Sequence, residues 1–232
     1  MKTFASLRLL PFIFIAAFVA AGNKDIHVLF VGNSYTYYNE LPTVVASLAT
    51  DAGLTIHVRH HTRGGYSLLQ HVEEKEIFRV INSEAWDYVV LQDHSMRPEK
   101  LPKKLYEAAR ILDQKIKARG ARTVFYMTWA RAYNPGMNEA LEKVYTKAAK
   151  ELGALLVPVG KAWALALKQP GGINLYIEDG SHPNPHGTYL TACMFLGKLT
   201  GKLPEGLGNG GLKEVSPEEA KTLQDIARRT LQ

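Results

Sequence analysis

VLFVGNSYTYYNELP, residues 28–42, joins an apolar run to a helix-like pattern across a Gly-Asn-Ser turn. The apolar residues 26–31 are too few for a helix and carry no polar alternation, which reads as a strand buried on both faces. The run stops at Gly32-Asn33-Ser34, and helical spacing begins near Glu40. Ser34 at the mouth of a buried strand has three readings: a turn residue, a helix cap or a nucleophile. The third needs a base from elsewhere in the chain, because a serine alone is a weak nucleophile.

Strand and helix patterns alternate outward from this stretch. Residues 25–32, 54–61, 86–92, 121–130 and 154–159 read as strands. Helical spacing runs over 41–53, from the break at 63–67 to about 82, and over 99–119, 137–152, 161–167 and 186–199. Gly53, Gly120, Gly153 and Gly201 stand where those helices should stop. Asn184-Pro185 is a helix start, and Ser216 with Glu219 forms a capping box for a last helix. Alternating β and α units with apolar strands imply a three-layer α/β/α sandwich on a central parallel sheet. Ligands of such sheets bind outside the carboxyl ends of the strands. Those ends are residues 32–36, 62–67, 92–95 and 128–131, joined by the long loop 170–186.

The first 22 of the 232 residues read as a secretory signal peptide. Lys2 and Arg8 precede an apolar stretch that ends in Ala20, Ala21 and Gly22, with cleavage expected after Ala21 or nearby. The stretch is short for a membrane span, and no stable membrane partner is expected once it is removed. Residues 23–232 fit one domain, placed in the periplasm or outside the cell. Cys193 is the sole cysteine, in an apolar run, so no internal disulfide can form. The formal charge of +6 falls to +4 without Lys2 and Arg8. Basic residues between 100 and 122 are mixed with acids and lack interleaved aromatics, which argues against nucleic acid. Adjacent His60 and His61 point to opposite faces of a strand. No pair of histidines flanks a glutamate at helical spacing, so neither metal nor cofactor is expected.

The base appears in EDGSHPNPHG. Asp179 and His182 lie three apart in a loop just before a helix. A turn there brings the carboxylate to one imidazole nitrogen and leaves the other free to face a serine. His186, inside the helix, reads as a surface or pocket-wall residue, and Glu178 competes with Asp179 for the acid role.

VGNSYT near the start and DGSHPN near the end, in that order and context, resemble the SGNH (GDSL-type) esterase and lipase superfamily. The resemblance spans most of the chain after residue 22. It implies the flavodoxin-like fold of that superfamily and hydrolysis of esters. It implies Ser34 as nucleophile, Asp179 as orienting acid and His182 as base. It also implies an oxyanion hole built from the Ser34 backbone and from Gly65 in RGGYS.

Two departures stand out. Position 33 is Asn where well-known members have Asp. The block expected as Gly-x-Asn-Asp reads LQDHS, which leaves Gln92 or His94 as the side-chain oxyanion donor. Chemistry slightly favours Gln92 and direct position favours His94, so both stand as candidate donors. Asn33, Tyr35 and Tyr38 are the expected substrate contacts. The α/β-hydrolases are disfavoured, since Thr36 replaces the second glycine of Gly-x-Ser-x-Gly. The expectation is an exported esterase for short acyl groups, acetylated carbohydrate first. A non-catalytic glycan-binding module is the rival.

Overall fold

The structure, a computed structural model, describes residues 25–169 and 171–232. The expected signal peptide lies outside them. In chain order the elements are β1 (Ile26–Gly32), α1 (Ser34–Tyr37), a single 3-10 turn (Tyr38–Glu40), α2 (Leu41–Asp51), β2 (Ile56–Thr62), α3 (Leu68–Glu74), α4 (Glu76–Asn82) and β3 (Tyr88–Leu91). Then follow α5 (Arg97–Lys100), α6 (Pro102–Ala118), β4 (Arg122–Tyr126), α7 (Met137–Leu152), β5 (Leu155–Val157), α8 (Val159–Leu167), α9 (Pro185–Thr200) and α10 (Pro217–Leu231).

The five strands form one parallel sheet in the order β2-β1-β3-β4-β5. The chain leaves β1 toward β2 on one side and returns to β3 on the other. That reversal opens a crevice beyond the carboxyl ends of β1 and β3, the usual ligand position of a doubly wound sheet.

Successive side chains of β1 feed two different cores. Val28 and Phe30 pack with α2, α8, α9 and α10, whereas Leu29 and Val31 pack with α3, α4, α6 and α7. A strand covered on both faces has no use for polar alternation, which explains its apolar sequence. Edge strand β2 differs: His57, Arg59 and His60 face solvent, while His61 is half-buried against His71. Helix α9 is apolar almost all round because it lies between α2 and α10. Cys193 is fully buried there, and burial pushes its thiol pKa up to about 12.

Two helices are broken where unbroken ones are expected. The segment after Ser67 splits at Lys75, whose φ of 63° is left-handed. The helix expected over 99–119 splits at Leu101, because the residue before Pro102 is disfavoured in the helical region. The strand expected over 121–130 ends at Tyr126, and the irregular segment after it borders the crevice.

Candidate active site

Ser34 opens α1 directly beyond β1. The turn is held by Asn33, the N-cap, whose Oδ1 accepts from Tyr35 N at 3.1 Å and whose Nδ2 donates to Tyr66 O at 2.7 Å. The turn is also tight. A Cβ on Gly32 would stand 2.4 Å from Gln92 Oε1 and 2.6 Å from Thr36 Oγ1, so glycine leaves the room that these two side chains occupy.

The long loop brings the other groups. Ser34 Oγ lies 2.8 Å from His182 Nε2, and His182 Nδ1 lies 2.5 Å from Asp179 Oδ2. Asp179 Oδ1 accepts from the backbone N–H groups of Ser181 and His182, both at 2.9 Å, so one carboxylate shapes the loop and orients the ring. Burial raises the Asp179 pKa, but the His182 and backbone hydrogen bonds outweigh it and hold the carboxyl below its ordinary value. With Nδ1 donating to Asp179, the His182 Nε2 lone pair faces the serine hydroxyl.

Aromatic residues brace this chain of contacts. Tyr38 stacks on the His182 ring, centroids 4.5 Å apart. Tyr35 stacks on Trp129, which stacks on Trp163 at 3.7 Å. Tyr35 OH bonds Ser181 Oγ at 2.6 Å, and Trp129 Nε1 donates to Ser181 O at 3.0 Å. Ser181 is thus gripped at hydroxyl and carbonyl, one residue before His182.

A cavity of about 180 Å³ is lined by Asn33, Ser34, Tyr35, Gly65, His94, Ser95, Arg131, Ser181 and His182. Gly65 has φ of 74°, a conformation that glycine adopts freely. Neither the Ser34 nor the Gly65 amide N–H is spent on an acceptor among the described residues. His94 Nδ1 accepts from Met96 N at 3.3 Å, which assigns the proton of the neutral ring to Nε2. Burial foremost, with the charges of Arg131 and Arg97, lowers the His94 pKa and favours that neutral ring.

Gln92 is the main correction to the sequence reading. It is fully buried; its Oε1 accepts from Asn33 N at 2.8 Å and Thr36 Oγ1 at 2.9 Å, and its Nε2 donates to Asp93 O. The amide braces the Ser34 turn from behind and does not border the cavity. Asn33 and Tyr35 border it, but at 2 % and 3 % exposure their side chains are bonded into the framework. Of the three expected substrate contacts only Tyr38 is appreciably exposed, and its ring covers His182. His186 lies outside the cavity and pairs with Glu219 at 3.2 Å. Ser181, Trp129 and Arg131 carry no local sequence signal beyond their position after β4 or inside the long loop.

A serine bonded to a histidine–carboxylate pair, beside free backbone donors at a switch point, defines a serine hydrolase. No protein-family profile and no curated protein sequence matches the chain. Solved structures do. A candidate SGNH hydrolase from Slackia heliotrinireducens is 29% identical and covers 76% of this chain and 100% of its own, with a TM-score of 0.66. A DUF4886 family protein from Bacteroides uniformis is 21% identical over 90% of this chain and 95% of its own, at TM-score 0.77. A variant of an acetyl xylan esterase from Geobacillus stearothermophilus is 19% identical over 75% and 94%, at 0.61. The chain belongs to the SGNH (GDSL-type) superfamily, serine hydrolases of ester bonds.

Proposed function

We propose that the protein is an exported esterase that removes short acyl groups, acetyl above all, from carbohydrate by an acyl-enzyme mechanism. The observation that carries this reading is the unbroken contact from Ser34 Oγ through His182 to Asp179, with Ser34 and His182 lining the cavity. Ser34 Oγ attacks the ester carbonyl while His182 Nε2 takes its proton. The oxyanion is received by the N–H groups of Ser34 and Gly65 and by His94 Nε2–H. His182 returns the proton to the departing alcohol. A water, activated by the same imidazole, then releases the acid and restores the serine.

The cavity's small volume suits a short acyl chain. Acetyl xylan esterases among the structural neighbours support an acetylated sugar as the alcohol partner. Export is supported by the N-terminal pattern of residues 1–22. The test is labelling with a fluorophosphonate, followed by hydrolysis of p-nitrophenyl acetate, butyrate and octanoate and of acetylated xylan. Labelling at Ser34 with rates falling as the acyl chain lengthens is expected. An unlabelled protein would leave a glycan-binding module as the better account.

A further inference from the structure

Arg131 lines the cavity that holds Ser34 and His182, and among the described residues it has no acidic partner. Its Nη2 donates to Ser95 Oγ at 2.9 Å and its Nη1 to Tyr133 OH at 2.7 Å, both neutral hydroxyls. Its Nε is buried without a hydrogen-bond partner among the described residues. No carboxylate oxygen lies within 4.0 Å of the guanidinium among the described residues; Asp179, the acid of the site, is bonded to His182 instead. A partly desolvated cation held in place by neutral groups is an incomplete pair, whose desolvation cost an incoming anion offsets. The held fork also matches the planar geometry of a carboxylate, and little order is lost on binding one. Its charge is felt within the cavity, where it helps to lower the His94 pKa. Arg131 also borders a second, larger cavity of about 510 Å³.

We propose that Arg131 is a specificity residue that selects esters bearing a carboxylate close to the scissile bond. This assignment rests on the esterase reading above and narrows its substrate to an anionic one, such as an acetylated sugar acid. The carboxylate could sit on the alcohol side or the acyl side of the ester, and matched pairs of substrates separate the two. The first pair is p-acetoxybenzoate and p-acetoxybenzamide; the second is p-nitrophenyl hemisuccinate and p-nitrophenyl butyrate. For each, kcat/KM is measured for the parent, Arg131→Gln and Arg131→Lys, with melting curves to establish folding.

The anionic-to-neutral ratio should fall about tenfold or more in Arg131→Gln for one pair. Arg131→Lys, which keeps charge without the fork, should retain part of that ratio. Ratios unchanged in both pairs, or an equal loss on all four esters, would overturn the assignment; the latter would mean that the cation acts on the transition state alone. If the parent cleaves none of the four, the esterase reading fails, and calorimetric binding decides the role of Arg131 separately. p-Hydroxybenzoate should then bind about tenfold more tightly than p-hydroxybenzamide and lose that advantage in Arg131→Gln. Equal binding of the two would overturn it.

Discussion

Gln92 Oε1 accepts a hydrogen bond from Asn33 N at 2.8 Å, across the gap that Gly32 leaves open. The amide thereby fixes the residue before Ser34 and stays out of the cavity that Ser34 lines. Removing it should leave the buried Asn33 N–H and Thr36 hydroxyl without their acceptor, at a cost of about 1–3 kcal/mol each at most. Gln92→Ala should therefore show a lowered denaturation midpoint. His94→Ala should instead keep its midpoint and lose about 10²–10³ in kcat with KM little changed, as loss of an oxyanion donor does. Denaturant melts and steady-state kinetics on both variants check this. A stable Gln92→Ala with a kcat loss of that size, beside a near-parental His94→Ala, would reverse the two roles.

The Ser34–His182–Asp179 contacts set a graded series. Ser34→Ala and His182→Ala should each lower turnover by about 10⁴ or more, and Asp179→Asn by less. His186→Ala should stay close to parental turnover, because its partner is Glu219 on α10. The measurement is kcat for p-nitrophenyl acetate on variants with parental melting curves. A sensitive His186 with a tolerant His182 would break the assignment.

Tyr35 tests whether the loop needs its brace. Tyr35→Phe keeps the stack on Trp129 and removes the hydroxyl that bonds Ser181 Oγ. A net loss of about 1 kcal/mol in stability is expected for one buried hydrogen bond. The catalytic consequence should appear in kcat rather than KM, since the hydroxyl is spent on Ser181, the residue before His182. Fluorophosphonate labelling should slow in parallel with kcat. A raised KM at unchanged kcat would restore Tyr35 to the substrate-contact role expected from sequence.

Much of this was legible in the chain because it depends on local pattern. β1 could be recognised since burial on both faces forces an apolar run, and the contact between Asp179 and His182 since they are three residues apart in one loop. What was hidden depends on contacts distant in sequence. Gln92 lies at a strand end like a donor, but its direction is set by the missing Cβ of Gly32, 60 positions earlier. Tyr35 looks like a loop aromatic until Trp129 and Ser181 close around it. The break at Lys75 leaves no proline or glycine to announce it. Arg131 sits among the strand-end residues, yet only the absence of an acid around it gives it meaning.

Asp93 offers the sharpest pH test. It is fully buried behind His94, with Oδ1 accepting from Leu68 N at 2.9 Å and His94 N at 2.8 Å, and with Oδ2 unpartnered. Burial, only partly opposed by those bonds and by Arg97, pushes its pKa up from 3.8 to about 6. Between these values the folded protein keeps a proton that the unfolded chain has released. Stability from this group is therefore full at the acid end and is lost as pH rises through about 6. A shift of roughly two units corresponds to about 3 kcal/mol at most. Asp93→Asn keeps an acceptor for both backbone N–H groups and cannot ionise. It should be more stable than the parent at about pH 8, with the gain shrinking toward zero near pH 4. His71 and His94, whose pKa values burial lowers, act in the opposite sense, losing stability as pH falls below about 6.5. They are present in both proteins and drop out of the difference. Denaturant unfolding of parent and variant across that range reads the effect. A variant that is less stable than the parent at neutral pH, or a gain that does not change with pH, would show that the Asp93 carboxylate is not held ionised at a cost.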